Sequence, residues 1–204
     1  MLQSCPPAPA LTPISAVNCA QIFDQIVMAF FQRTQSAAPF ANEAALKTLS
    51  NWDTLIAAAD STKIIYTPAF SSANIAESEA LTQGGNDNTT FNGIPEYYGE
   101  GFAPFVGVFK NLPSTQKVQL SALSAESIAS ATGVARLSVF LVNRHGQIIH
   151  NNLKGIPCYN FRISSTGTQG LNSANTNTIG FVLPPNWDDS ITVSTPDFDP
   201  FTDL

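Results

Sequence analysis

The stretch Arg136-Leu137-Ser138-Val139-Phe140-Leu141-Val142, followed by Asn143-Arg144-His145-Gly146 and then Gln147-Ile148-Ile149-His150, decides the fold. β-Branched, aromatic and aliphatic residues fill both arms, which favours extended backbone. The four residues between them are polar and end in glycine, the residue that reaches positive φ without a steric penalty. This reads as a β-hairpin, with Gly146 at the left-handed position of its turn.

Working outward, Gln25-Ile26-Val27-Met28-Ala29-Phe30-Phe31-Gln32-Arg33 is short and apolar on both faces, so it reads as a buried strand. Asn42 is placed to cap a helix from Glu43 to about Ala59, in which Leu46, Leu49, Trp52, Leu55 and Ile56 recur at three- and four-residue steps. Lys63 to Thr67 is a strand stopped by Pro68, and a polar strand or loop follows to Thr82. Gln83 to Gly93 reads as a long turn-rich loop. Phe102 to Asn111 is a strand, with Pro104 placing its start at an edge or bulge. Pro113 to about Ala131 is a second helix, with Gly133 just past its end. Pro157 to Ile163, Thr178 to Leu183 and Ser190 to Thr195 complete the strands.

The expected fold is mainly β: a β-sandwich or open barrel of about eight strands, with two flanking helices and extended N- and C-terminal arms. A Pro-rich arm over residues 1–17 precedes a β-rich domain over 18–195, and 196–204 reads as a second extended arm.

The chain has 204 residues, of which 12% are charged, against roughly 25% in ordinary soluble proteins. Ser, Thr and Asn, about a quarter of the chain, fill the polar role instead. The longest strongly apolar run, Ile26 to Phe31, is far short of the roughly 20 residues of a membrane-spanning helix. A net charge of −6 argues against a free nucleic-acid binder, which needs concentrated Lys and Arg. The first residues carry no basic n-region and run into Pro6, Pro7, Pro9 and Pro13, unlike a secretory signal. Cys5, Cys19 and Cys158 are odd in number and widely spaced, which fits reduced thiols and no zinc ligation.

Charge is distributed in blocks. Glu77, Glu79, Asp87, Glu96 and Glu100 lie in a segment without a base. From Phe102 to Arg162 stand Lys110, Lys117, Arg136, Arg144, Lys154 and Arg162, with Glu126 the only acid. After Arg162 come Asp188, Asp189, Asp197, Asp199 and Asp203 with no base. Such blocks either pair within the chain or form complementary patches between identical subunits, where charge sets register.

No motif announces chemistry. The chain has no G-x-S-x-G, H-E-x-x-H, P-loop or Rossmann glycine pattern. His145 and His150 read as solvated turn histidines. A carboxylate pair such as Glu77 or Glu79 with Glu96 can be drawn in any acidic protein of this size. Asp87 and its Asn neighbours could hold Ca²⁺, but one carboxylate is too few for an EF-hand-like site. Asp87, Asn88, Tyr97, Tyr98 and Trp187 would serve a sugar-binding module, although aromatics in β-rich proteins are more often core or interface. The expectation is no enzyme, no cofactor and no metal.

The run Gly84-Gly85-Asn86-Asp87-Asn88-Thr89-Thr90-Phe91-Asn92-Gly93-Ile94-Pro95-Glu96 resembles structural proteins of tailed bacteriophages. The likeness extends to Cys19…Phe23-Asp24-Gln25-Ile26…Phe31-Gln32-Arg33, to Val142-Asn143…Gly146-Gln147-Ile148-Ile149, and to Thr195-Pro196…Phe198…Pro200…Thr202-Asp203-Leu204. It implies a virion component made in the host cytoplasm, with no catalytic residue. Its partners would be copies of itself, other virion proteins, and DNA only as cargo. The plan is similar to tail-tube proteins, which stack as hexameric rings, and also to head–tail connectors and capsid decoration proteins. Gly84, Gly85, Asn86, Asp87, Asn88 and Phe91 of the loop, with Phe198, Phe201 and Leu204 of the tail, are the expected subunit contacts.

Overall fold

A computed structural model describes residues 25–85, 93–128, 135–168 and 174–204. Among them are eleven strands in antiparallel pairing and three helices. The element count exceeds the expectation because the expected first helix divides and three short strands, Ser72–Ile75, Ala80–Gln83 and Glu96–Glu100, precede the strand at Ala103–Lys110.

The central hairpin forms as its residues dictate. β7 (Leu137–Asn143) and β8 (Ile148–Asn151) pair across a turn in which Gly146 has φ 73°. Asn143 is fully buried, and its side chain holds the turn. Its Oδ1 accepts from the His145 and Gln147 N–H groups, both at 3.0 Å, and its Nδ2 donates to Gln147 Oε1.

On its other edge β7 pairs along its length with β1 (Ile26–Arg33), which also carries β2 (Ile64–Tyr66). β11 (Ile191–Ser194) adds to β8, completing a first sheet in the order β2-β1-β7-β8-β11. The second sheet runs β9 (Ile156–Ile163), β10 (Thr176–Leu183), β6 (Ala103–Lys110) and β3 (Ser72–Ile75). β4 (Ala80–Gln83) and β5 (Glu96–Glu100) form a separate two-stranded ribbon.

Two corners join the sheets. Leu141 faces Ile149 and Val139 faces Ile156, so residues 150–155 are inserted opposite Phe140. They fold into a tight turn, with Asn152 and Leu153 at φ 48° and 65° and Asn151 and Lys154 exchanging both backbone hydrogen bonds. Positive φ at both central residues is the type I′ geometry that suits twisted strands. At the second corner, the chain after β2 crosses from β1 to β6: Phe70 N–H donates to Val27 O, and Ser71 N–H to Val108 O.

Consecutive residues of β1 point to opposite faces, and both faces are covered. Phe31 lies between the sheets with Phe105, Phe161 and Phe181, where Phe105 and Phe181 stack at 4.4 Å. Phe30 lies on the outer face with Trp52, Phe40, Phe140 and Ile148. The expected helix over 43–59 covers that outer face, but as two pieces, α1 (Glu43–Lys47) and α2 (Leu49–Ala57), bent at extended Thr48. The bend lets Leu46 and Trp52 both point inward, and side chains replace the lost helical bonds. Trp52 Nε1 donates to Leu46 O at 2.7 Å, and Asn51 Nδ2 to Ala45 O at 2.8 Å. Asn42 caps α1 as expected. α3 (Ser114–Ile128) places Leu120 and Leu123 in the core between the sheets and rests on β9, where Ser127 Oγ accepts from the Phe161 N–H.

The tail departs from an extended arm. Phe198, Phe201 and Leu204 pack on their own chain, over the cluster of Trp52 and Phe140. The Phe198 ring lies 6.4 Å from that of Trp52, and Asp197 N–H donates to Lys47 O. Asp199 and Asp203 then lock a terminal turn: Asp199 Oδ1 accepts from Phe201 N–H, and Asp203 Oδ2 from Asp199 N–H. Three large apolar side chains gain more by covering a local apolar face than by remaining in water. The Pro-rich arm over 1–17 lies outside the described residues.

Candidate functional site

The feature that stands apart from the body is the β4–β5 ribbon. It continues the β3–β6 pair beyond the sheet edge: Ala76 N–H donates to Pro104 O, Gly101 N–H to Glu79 O, and Ala80 then pairs with Glu100. At about 3.3 Å per residue the paired part projects on the order of 15 Å. Two-stranded ribbons are marginal alone in water, yet this one exposes its apolar groups. Leu81 is 53% exposed, Tyr97 and Tyr98 are each 63%, and Ile94 beside them is 62%. β5 was not anticipated, because its apolar pair is broken by Gly99 at φ 141° and by a register shift between Leu81 and Thr82.

Of the loop residues expected at a subunit contact, Gly84 and Gly85 sit at the end of β4 with φ 70° and 112°. Asn86, Asp87, Asn88 and Phe91 lie outside the described residues, and so does any ion that Asp87 would hold. The tail candidates Phe198, Phe201 and Leu204 lie at the far end of the first sheet, on the second core, and are only half-exposed.

A second surface is the outer face of the β9–β10–β6–β3 sheet. β6 alternates strictly, with Ala103, Phe105, Gly107 and Phe109 inward and Pro104, Val106 and Lys110 outward. Asn74, Val106, Gly180 and Arg162 are neighbours across the strands. A Cβ on Gly180 would stand 3.3 Å from Arg162 Nε, so the guanidinium arm crosses the glycine toward β6. Phe102 is 52% exposed and Val106 41%, and Phe102 meets Tyr159 edge-on at 5.6 Å. The helices cover the first sheet and one end of the core, not this face.

Arg33 pairs with Glu126, and Lys47 with Glu43. Among the described residues the acids of the 77–100 segment do not pair with Lys110, Lys117, Arg136 or Arg162. Glu100 accepts instead from Ser78 Oγ, and Glu96 from Tyr98 OH. Glu77 and Glu100 line a cleft of about 760 Å³ with Asp188 and the half-buried Trp187, whereas Glu96 lies on the ribbon. Of the carboxylates drawn as a hydrolase pair, Glu77 therefore lines the cleft and Glu96 does not.

His150 is a correction. It is not a solvated turn histidine but is 1% exposed, held between β8, β11 and α1. Its Nδ1 accepts from Leu153 N–H at 3.1 Å, and its Nε2 lies 2.9 Å from Ser194 Oγ and 3.7 Å from Glu43 Oε2. The Ser194 hydroxyl donates to Glu43 Oε1. Ser, His and Glu thus meet, but in the wrong sense for nucleophilic catalysis. The Leu153 N–H fixes the lone pair on Nδ1, so neutral His150 carries its proton on Nε2 and donates to the serine instead of receiving its proton. Burial lowers the imidazole against the pull of Glu43. Burial would raise the Glu43 carboxyl, but the Ser194 hydrogen bond and the His150 and Lys47 charges hold it below its ordinary value. The cluster ties α1 to the first sheet.

Burial pushes the Cys158 thiol up, leaving an inert core group. Among the described residues no three of His, Cys, Asp and Glu are grouped to hold a metal, and no helix is long and apolar enough to cross a membrane. No protein-family model matches the chain, and no curated protein matches it significantly.

Proposed function

We propose that this protein is a non-enzymatic structural subunit that assembles with copies of itself, and that it serves in a phage virion as a tail-tube or tail-ring component. The observation that carries the assembly reading is the projecting ribbon, which displays Leu81, Tyr97 and Tyr98 to solvent on a body whose other large apolar groups are mostly buried. Large apolar side chains exposed together on one projecting element mark interaction sites. The acids Glu77, Glu79, Glu96 and Glu100 and the bases Lys110, Lys117, Arg136 and Arg162, which do not pair with each other among the described residues, support the same reading, because each set can find its complement on another copy. The virion assignment rests on the likeness of the 84–96 run to tailed-phage structural proteins. Other virion proteins would be its remaining partners, with DNA as cargo.

Mass photometry of the purified chain across concentration, with negative-stain images of any large species, tests this. Rings or tubes of uniform width are expected. A strict monomer at every concentration overturns self-assembly. A compact closed trimer overturns the tube and favours a capsid decoration role.

A further inference from the structure

We propose that the β4–β5 ribbon of one copy docks on the open outer face of the β9–β10–β6–β3 sheet of the next. This deepens the self-assembly reading and rests on it. The two surfaces match in chemistry. One face of the ribbon presents Leu81 and Tyr98 beside the acids Glu79 and Glu96, with Tyr97 on the other; the sheet face presents Phe102, Pro104 and Val106 beside the bases Lys110 and Arg162. Among the described residues neither set forms an ion pair within its own chain. Apolar contact would supply the affinity, and the charges would fix the register.

The two patches differ, and the ribbon projects from one end of the sheet whose face it would meet. The proposed contact is the heterologous one, in which each copy offers a ribbon to one neighbour and a face to another and does not exchange ribbons reciprocally with a single partner. Such contacts generate closed rings when the rotation closes, and open helical filaments when it does not. A two-fold dimer is not the expected product.

Charge reversal in the full chain tests the pairing. Glu96→Lys and Arg162→Glu both change exposed side chains, so each variant should keep the wild-type thermal midpoint. Each alone should lose the large species seen by mass photometry, because like charges meet at every contact. A 1:1 mixture should restore them, because the ribbon of each variant then faces a complementary sheet. A photo-crosslinking residue at Tyr98, on the face of Glu96, should be captured on β6, β9 or β10 peptides of another copy. If the wild type assembles but neither reversal weakens it, or if the crosslink lands elsewhere, the docking proposal falls while self-assembly stands. If the wild type never assembles, both fall.

Discussion

At the scale of single residues, the hinge between the sheets is the most tightly determined site. A Cβ on Gly155 would lie 2.7 Å from Ser138 Oγ and 2.9 Å from Val139 N. The backbone atom cannot move without opening the β7–β9 ladder. Gly155→Ala should therefore destabilise the fold by about 1–3 kcal/mol, read as a lower midpoint in chemical denaturation with an unchanged slope. His150 governs the response to pH. Its folded pKa lies below the ordinary 6.5, so its contribution is complete above about pH 6.5 and is lost as pH falls toward the folded value. Glu43 is also lowered, from 4.5, and its contribution disappears in turn as pH falls below that. Stability should thus decline in two acid steps. His150→Gln should flatten the first step while leaving the second, and thermal melts from about pH 7.5 down to about pH 2 would resolve the two. A first step that survives the substitution would exclude His150 as its source.

At the scale of elements, the tail acts as a cover for the outer core. Truncating Phe198 to Ala should cost about half of the 3–5 kcal/mol typical of a fully buried phenylalanine, because the ring is only partly buried. The loss should appear in equilibrium unfolding and leave any assembly of the folded fraction intact. An assembly defect without a stability loss would return the tail to the role of an intersubunit arm. Much of the element plan was legible. The β7–β8 hairpin, the doubly buried β1 and the Asn42 cap follow from patterns that act within a few residues of each other. The bend at Thr48 was not legible, since it is imposed by Trp52 reaching a distant apolar face and by Asp197 binding the Lys47 carbonyl. The tail reads as extended for the same reason: Pro196 and Pro200 are local signals, whereas the surface that gathers Phe198 and Leu204 is assembled from β1, β7 and α2. The ribbon escaped notice because Gly99 and a register shift erase its alternation. The burial of His150 depends on β11 and α1, both remote from the hairpin that contains it.

At the scale of the whole molecule, acidic and basic surfaces that do not pair with each other among the described residues would make the proposed association sensitive to salt. Raising ionic strength from about 0.05 M to about 0.5 M shortens the screening length from roughly 14 Å to roughly 4 Å. The large species should shrink in population over that range in mass photometry, while the thermal midpoint of the subunit moves little. Growth with added salt would instead place the apolar groups alone in control. The way the ribbon is attached has a mechanical meaning as well. Because β4 and β5 run directly out of β3 and β6, a pull on the ribbon tip travels along β6 and loads its ladder to β10 in shear. Eight register pairs from Ala103 to Lys110 would then share the force together, in place of yielding one after another like a zipper. A subunit anchored in this way can bear tension through its neighbours without surrendering its core.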